Sequence, residues 1–208
     1  MKRGKLIVVS GFSGAGKGTV MNELVAHKEN YALSVSATTR NPRPGEQEGI
    51  SYFFKTREEF ERMITEGELL EYARYVDNYY GTPKAFVEKM RDEGKDVLLE
   101  IEIQGALKIK EKYPDTILIF ITTKDAATLE SRLKGRGTET EEVIRKRLSR
   151  AIDEANGVEN YEYILVNEEV SECAEMVDRI VKSAHNRTDE NLSIIREIQE
   201  NLKSISEA

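Results

Sequence analysis

A single cysteine, Cys173, occurs in the 208-residue chain. That scarcity excludes an internal disulfide and any cysteine-built metal cluster, and it leaves Cys173, set among helix-forming residues, as a small apolar group expected to be buried. Histidine is nearly as scarce. His27 and His185 are the only two, neither keeps metal-binding company, and no role is assigned to either. No apolar run approaches the ~20 residues that a membrane span needs. Met1-Lys2-Arg3-Gly4 leads directly into an apolar strand without the core of a signal peptide. The expected location is the cytoplasm, with no membrane partner. Internal repeats and low-complexity linkers are missing as well. With 31 basic and 38 acidic residues the net charge is −7, which argues against general nucleic-acid binding, although local arginines can still hold phosphate.

What the chain does have is a glycine-rich run, Gly11-Phe12-Ser13-Gly14-Ala15-Gly16-Lys17-Gly18-Thr19, between the apolar stretch Leu6-Ile7-Val8-Val9 and a helix-compatible segment from Val20 to His27. This is a P-loop. Glycines permit tight turns that aim successive backbone N–H groups inward, and the helix N-terminus adds partial positive charge, so the loop makes a cup for polyphosphate. Lys17 is placed to reach the outer phosphates of a nucleoside triphosphate. Gly18 stands where Ser or Thr usually follows the lysine, and Thr19 comes one place later.

Runs rich in branched residues, Lys5 to Ser10, Val97 to Ile103, Ile117 to Thr122 and Tyr163 to Asn167, alternate with helical segments, the pattern of a parallel α/β sheet. Two inserts interrupt it. The first carries short strands at Leu33 to Ser36, Tyr52 to Phe54, Leu69 to Tyr75 and Tyr79 to Gly81 around one helix, whose capping box is Thr56-Arg57-Glu58-Glu59 and whose end is Gly67. The second reads as a helix from Asp125 to Lys134, a hinge-like loop Gly135-Arg136-Gly137 and a longer charged helix from Thr138 to Asn156 with its own capping box.

The first insert opens on Ser34 to Glu46, a proline-stiffened loop holding Arg40 and Arg43. Arginine's planar fork suits phosphate, and a stiff loop loses little entropy on binding. Tyr52 and Tyr80 have hydroxyls able to reach the same anion, while Glu71, Thr82 and Glu102 supply acceptors and a hydroxyl able to read a base. Taken alone, the arginines fit a solvated surface loop, and Glu71 in its alternating strand fits a solvent-facing carboxylate.

From Lys5 to about Val181 the chain resembles the guanylate kinase family. Besides the P-loop, the motifs are Ser36 to Glu46, Asn78-Tyr79-Tyr80-Gly81-Thr82, Leu99 to Gly105, and Arg132 to Thr140. The resemblance implies an α/β fold: a P-loop NTPase-type parallel sheet flanked by helices, with an inserted mixed α+β GMP-binding lobe and a helical lid. The implied divisions are a core ATP-binding domain of residues 1–33, 86–123 and 157–208, a GMP lobe of residues 34–85 and a lid of residues 124–156.

It also implies ATP:GMP phosphotransfer, with GMP or dGMP as acceptor and Mg²⁺ accompanying ATP. Carried over position by position, Arg40, Arg43, Tyr52 and Tyr80 hold the acceptor phosphate, and Ser36, Glu71, Gly81, Thr82 and Glu102 surround guanine. Gly11, Ser13, Gly14, Ala15, Gly16, Lys17, Gly18 and Thr19 form the ATP site, and Lys17, Arg40, Arg132, Arg136 and Arg147 neutralise charge in the transfer. Without the resemblance, the lid arginines fit surface ion pairs equally well. Because Gly18 lacks a hydroxyl, Mg²⁺ is expected to be held mainly through water, with Glu100 and Thr19 as its protein contacts. Phe12 replaces a common proline and Glu102 a common aspartate, the latter moving its carboxylate one methylene farther out.

Guanylate-kinase-like domains in scaffold proteins bind peptides without phosphoryl transfer and tend to lose the P-loop lysine or the lid arginines, all of which this chain keeps. Beyond His185, Leu192, Ile195, Ile198, Leu202 and Ile205 recur at helical spacing. They predict an amphipathic helix packed on its own core, with a contact between subunits of a homo-oligomer as the alternative.

Overall fold

β1 (Leu6–Gly11) opens on four branched apolar residues, Leu6 to Val9, every one of them fully buried. A strand buried on both faces belongs at the centre of a parallel sheet. The computed structural model, which describes residues 2–75, 77–135 and 140–207, places it there. Going along the chain, α1 (Lys17–His27) and β2 (Tyr31–Leu33) follow, then β3 (Ala37–Thr38), β4 (Phe53–Phe54), α2 (Arg57–Thr65), β5 (Leu69–Tyr75) and β6 (Asn78–Pro83). After α3 (Lys84–Asp92) come β7 (Asp96–Glu100), α4 (Ile103–Lys112), β8 (Ile117–Thr122), α5 (Ala126–Gly135) and α6 (Glu141–Glu154). A 3₁₀ turn (Val158–Asn160), β9 (Tyr163–Val166), α7 (Val170–His185) and α8 (Thr188–Ser206) complete it.

The main sheet has five strands in the order β2-β7-β1-β8-β9, all paired in parallel. Alternate residues of β1 serve opposite layers, as the period of two requires. Ile7 and Val9 pack with Val20, Met21 and Leu24 of α1 and with Cys173, Val177 and Val181 of α7. Leu6 and Val8 pack with Val87 of α3 and with Ala106 and Ile109 of α4. Each such side chain contributes on the order of 2 kcal/mol by leaving water. Cys173 is buried in the first layer, as expected.

A second sheet, β4-β3-β6-β5, is mixed, with β3 parallel to β4 and antiparallel to β6. It is closed on one side by α2, whose Phe60 is fully buried and stacks on Tyr79 at 5.2 Å. The start of α2 follows its sequence: the Thr56 hydroxyl accepts from the Glu59 N–H while the Glu59 carboxylate accepts from the Thr56 N–H. Gly67 ends the turn with φ of 68°.

Several expectations are corrected. The segment Leu33 to Ser36 is not one strand of the insert: Leu33 closes β2 in the main sheet, and the insert's own strand begins only at Ala37. The strand expected from Val97 to Ile103 ends at Glu100, because Glu102 turns extended (φ −69°, ψ 156°) as the N-cap of α4. Helix α3 was not anticipated at all; it starts behind Pro83 without a side-chain cap. Among the described residues the long charged helix is Glu141–Glu154, capped by Thr140, whose hydroxyl accepts from the Val143 N–H; the expected start at Thr138 lies outside them. Valine at that position cannot return a hydrogen bond, so Thr140 forms no capping box. Arg136, with Gly137 and Thr138, lies outside the described residues.

The apolar stripe of α8 is not packed on the core. No residue of α8 is buried, although its first turn is tied down by Lys5 with Glu190 and by Asn191 Nδ2 donating to the His185 carbonyl at 2.9 Å. No described helix is long and apolar enough to cross a membrane.

Candidate active site

The P-loop joins the carboxyl end of β1 to α1, where a parallel sheet opens its binding crevice. Gly14 and Gly16 adopt φ of 97° and 89°, the left-handed region that side chains avoid, and the turn is closed by the Ala15 N–H donating to the Phe12 carbonyl at 3.0 Å. Gly16 is doubly constrained, since a Cβ there would stand 2.5 Å from Asn167 Nδ2. Lys17 Nζ donates to the carbonyls of Gly11 and Phe12 at 2.9 and 3.2 Å, bending back over the loop it belongs to.

Residues from two other elements converge on the same loop. Arg132, in the last turn of α5, donates to the carbonyls of Ala15 and Asn167 at 3.3 and 2.8 Å. Arg147 of α6 donates to Ser13 Oγ at 3.4 Å. Glu154, at the end of α6, accepts from the Ser13 N–H at 3.1 Å, so a loop amide already holds an anionic oxygen. Neither Glu154 nor Asn167 was singled out in the sequence. Asn167 is buried behind β9, its Nδ2 donating to the Ala15 carbonyl at 2.8 Å. A lone asparagine at a strand end carries no motif that would have marked it.

Glu100 closes β7 with its side chain half exposed, 3.9 Å from Lys17 Nζ. A Cβ on Gly18 would lie 3.5 Å from Glu100 Oε2, so the residue lacking a hydroxyl directly faces this carboxylate. Thr19 is exposed in the first turn of α1.

On the second sheet, Arg40 is held by Glu46, NH2 donating to both carboxylate oxygens at 2.8 and 2.9 Å, and its guanidinium lies 5.4 Å over the ring of Tyr52. The Glu46 carboxylate raises the Arg40 pKa further, and the hydrogen bond from Arg40 lowers that of Glu46. Glu46 also accepts from the Arg43 N–H at 2.8 Å, which fixes the loop. The Arg43 residue is exposed. Tyr52 and Tyr80 meet edge to face at 6.2 Å, and burial raises the Tyr52 phenol.

Glu71 does not face solvent. It is 8% exposed, accepts from Thr82 Oγ1 at 2.9 Å, and has its pKa raised, first by burial. A Cβ on Gly105 would stand 3.1 Å from Glu71 Oε2, so this glycine makes room for the carboxylate, while one on Gly81 would meet the Glu71 backbone carbonyl at 2.9 Å. Glu102 is exposed, and its charge adds to the upward shift of Glu71. Ser36 is half-buried, its carbonyl accepting from the Phe53 N–H at 2.9 Å.

A triphosphate loop at the switch point of a parallel sheet, with arginines from a following helix pair and a second sheet presenting a buried carboxylate, defines a P-loop nucleotide-binding α/β protein. The family model described as Guanylate kinase matches residues 3–184. A guanylate kinase of Lactococcus lactis subsp. lactis is 52% identical over 188 residues, 90% of this chain and 92% of that one. One of Caldanaerobacter subterraneus subsp. tengcongensis is 49% identical over 199 residues, 96% of this chain and 97% of that one. The crystal structure of guanylate kinase from Anaplasma phagocytophilum superposes with a TM-score of 0.73 at 34% identity, covering 90% of this chain and 89% of that one. The chain belongs to the guanylate kinase family.

Proposed function

We propose that the protein transfers the γ-phosphoryl group of ATP to the 5′-phosphate of GMP, and of dGMP, giving ADP and the nucleoside diphosphate. The observation that carries this reading is the buried Glu71 carboxylate hydrogen-bonded to Thr82. A carboxylate in such a place pairs with the N1–H and 2-amino donors of guanine, whereas adenine offers a lone pair at N1. A desolvated mismatch of this kind discriminates by roughly four orders of magnitude. Because ionised Glu71 only accepts, the Thr82 hydroxyl proton is committed to it, which leaves Ser36 as the hydroxyl that donates to guanine O6. Glu102 stands at the edge of the same site.

Arg40, Arg43, Tyr52 and Tyr80 hold the acceptor phosphate. The acceptor is already an anion, so no general base is needed and the protein's work is positioning and charge neutralisation. Lys17, now over the Gly11 and Phe12 carbonyls, swings to the β- and γ-oxygens, and Arg132, Arg136 and Arg147 surround the transferring group from residues 124–156 as water is excluded. Residues 34–85 act as the acceptor lobe and the remainder as the ATP-binding core. Mg²⁺ arriving with ATP would supply charge neutralisation, and Glu100 beside Gly18 and Lys17 is the carboxylate that would hold it through water, with Thr19 farther along α1.

An ADP-release assay with ATP, Mg²⁺ and GMP, dGMP or AMP tests the reading. ADP formation that depends on GMP is expected; ADP formation only with AMP, or none, overturns it.

A further inference from the structure

The backbone ladder between β1 and β7 stops at Val9 and Glu100. One step farther, where pairing would bring Ser10 to Ile101, a side chain takes over: the Ser10 hydroxyl donates to the Ile101 carbonyl. Ser10 is 1% exposed, and its oxygen accepts at 2.6 Å from the Tyr161 hydroxyl. A hydroxyl both donates and accepts, so Ser10 holds Ile101 while Tyr161 holds Ser10, and each bond in such a chain strengthens the other.

Tyr161 is brought here by the segment that follows α6. Gly157 turns at φ 97°, and a Cβ there would stand 3.0 Å from Ile103 Cγ2, so this backbone lies against the start of α4. The Tyr161 ring meets Phe120 edge to face at 5.8 Å, and Phe120 meets Phe12 of the P-loop in the same way at 5.2 Å. Burial pushes the Tyr161 phenol up to about 12, so near neutral pH it keeps the proton it gives to Ser10.

The carbonyl at the end of this chain lies between two carboxylates. Glu100, before Ile101, is 3.9 Å from Lys17; Glu102, after it, is the N-cap of α4, and its charge is felt by Glu71. The Ile101 side chain reaches the same place, since a Cβ on Gly105 would stand 2.5 Å from Ile101 Cγ2 and 3.1 Å from Glu71 Oε2. Turning the Ile101 peptide would therefore move both Glu102 and the apolar group beside the Glu71 carboxylate.

We propose that Tyr161, acting through Ser10, is a positioning residue for guanine selectivity: the two hydroxyls fix the Ile101 peptide and with it the carboxylate side of the acceptor site. This rests on the guanine reading of Glu71 given above.

Calorimetry of GMP binding without ATP, with KM for each substrate and thermal denaturation, tests this in Ser10→Ala, Tyr161→Phe and the double variant. Ser10→Ala leaves the Ile101 carbonyl without its donor and should raise Kd and KM for GMP about ten-fold, with KM for ATP within about two-fold of the unaltered value. Tyr161→Phe removes one oxygen, keeps the ring on Phe120, and should shift the same two constants in the same direction by about three-fold. The double variant should bind GMP no more weakly than Ser10→Ala alone, because Tyr161 acts through Ser10. Losses that multiply in the double variant, equal losses for ATP and GMP, or a lowered melting temperature with GMP binding unchanged overturn the proposal. GMP binding that Glu71→Gln leaves intact overturns the guanine reading itself, and the proposal with it.

Discussion

Thr82 Oγ1 donates a 2.9 Å hydrogen bond to Glu71 Oε1 in a setting where both side chains are buried. Burial is the leading cause that raises the Glu71 pKa above its ordinary value near 4.5, and the Thr82 bond opposes it. Burial in the protein therefore makes the ionised carboxyl less favourable than it is in water. The stability contribution of Glu71 is full below the ordinary value and falls as pH rises through the raised one. The proposed guanine recognition uses the carboxylate, so KM for GMP should fall with rising pH through that raised value. Glu71→Gln should remove this limb, leaving only the titration of the GMP phosphate near ~6. Thr82→Val removes the opposing hydrogen bond and should move the limb to higher pH. Steady-state KM against pH for the three proteins checks all of this.

The Arg40–Glu46 pair makes a different prediction. With the role proposed for Arg40 at the acceptor phosphate, Arg40→Met should lower kcat/KM for GMP by roughly 100-fold or more. Glu46→Gln keeps Arg40 but loosens the loop held through the Arg43 N–H, and should raise KM for GMP several-fold at nearly constant kcat. Equal losses in both variants would mean that Glu46 does more than position.

Asn167 ties β9 to the P-loop through the Ala15 carbonyl. Asn167→Ala leaves that carbonyl without its donor and should cost about 1–2 kcal/mol of stability, with a higher KM for ATP and an unchanged KM for GMP. Thermal denaturation and separate titrations of the two substrates measure these.

Glu154 holds the Ser13 N–H that a triphosphate oxygen would take. Glu154→Gln weakens this competitor and should lower KM for ATP by a few-fold. A rise in KM would show that the contact supports the ATP-binding form of the loop.

Local signals were the ones that could be read from sequence. The glycines of the P-loop and the Thr56–Glu59 box act within a few residues, and both appear as expected. The cap of α6 by Thr140 could not be read, because the expected helix was placed from Thr138 and the backbone geometry at Thr140 is what marks it as the N-cap. Helix α3 escaped because Pro83 provides no capping side chain and the helix is only nine residues long. The stripe from Leu192 to Ile205 did reveal a helix, but amphipathicity does not say which surface covers the apolar face. At the site, the charged and aromatic residues could be named from their motifs. Glu154 and Asn167 could not, because their significance lies in contacts with residues more than 140 positions away.

The most direct test is the ratio of kcat/KM for GMP to that for AMP, with ATP and Mg²⁺, in the unaltered protein and in Glu71→Gln. The expected ratio is on the order of 10⁴ for the unaltered protein, falling by about 100-fold or more in the variant through loss of GMP turnover, with KM for ATP unchanged. A ratio near one, or a ratio that Glu71→Gln leaves intact, would contradict guanine reading by the buried carboxylate.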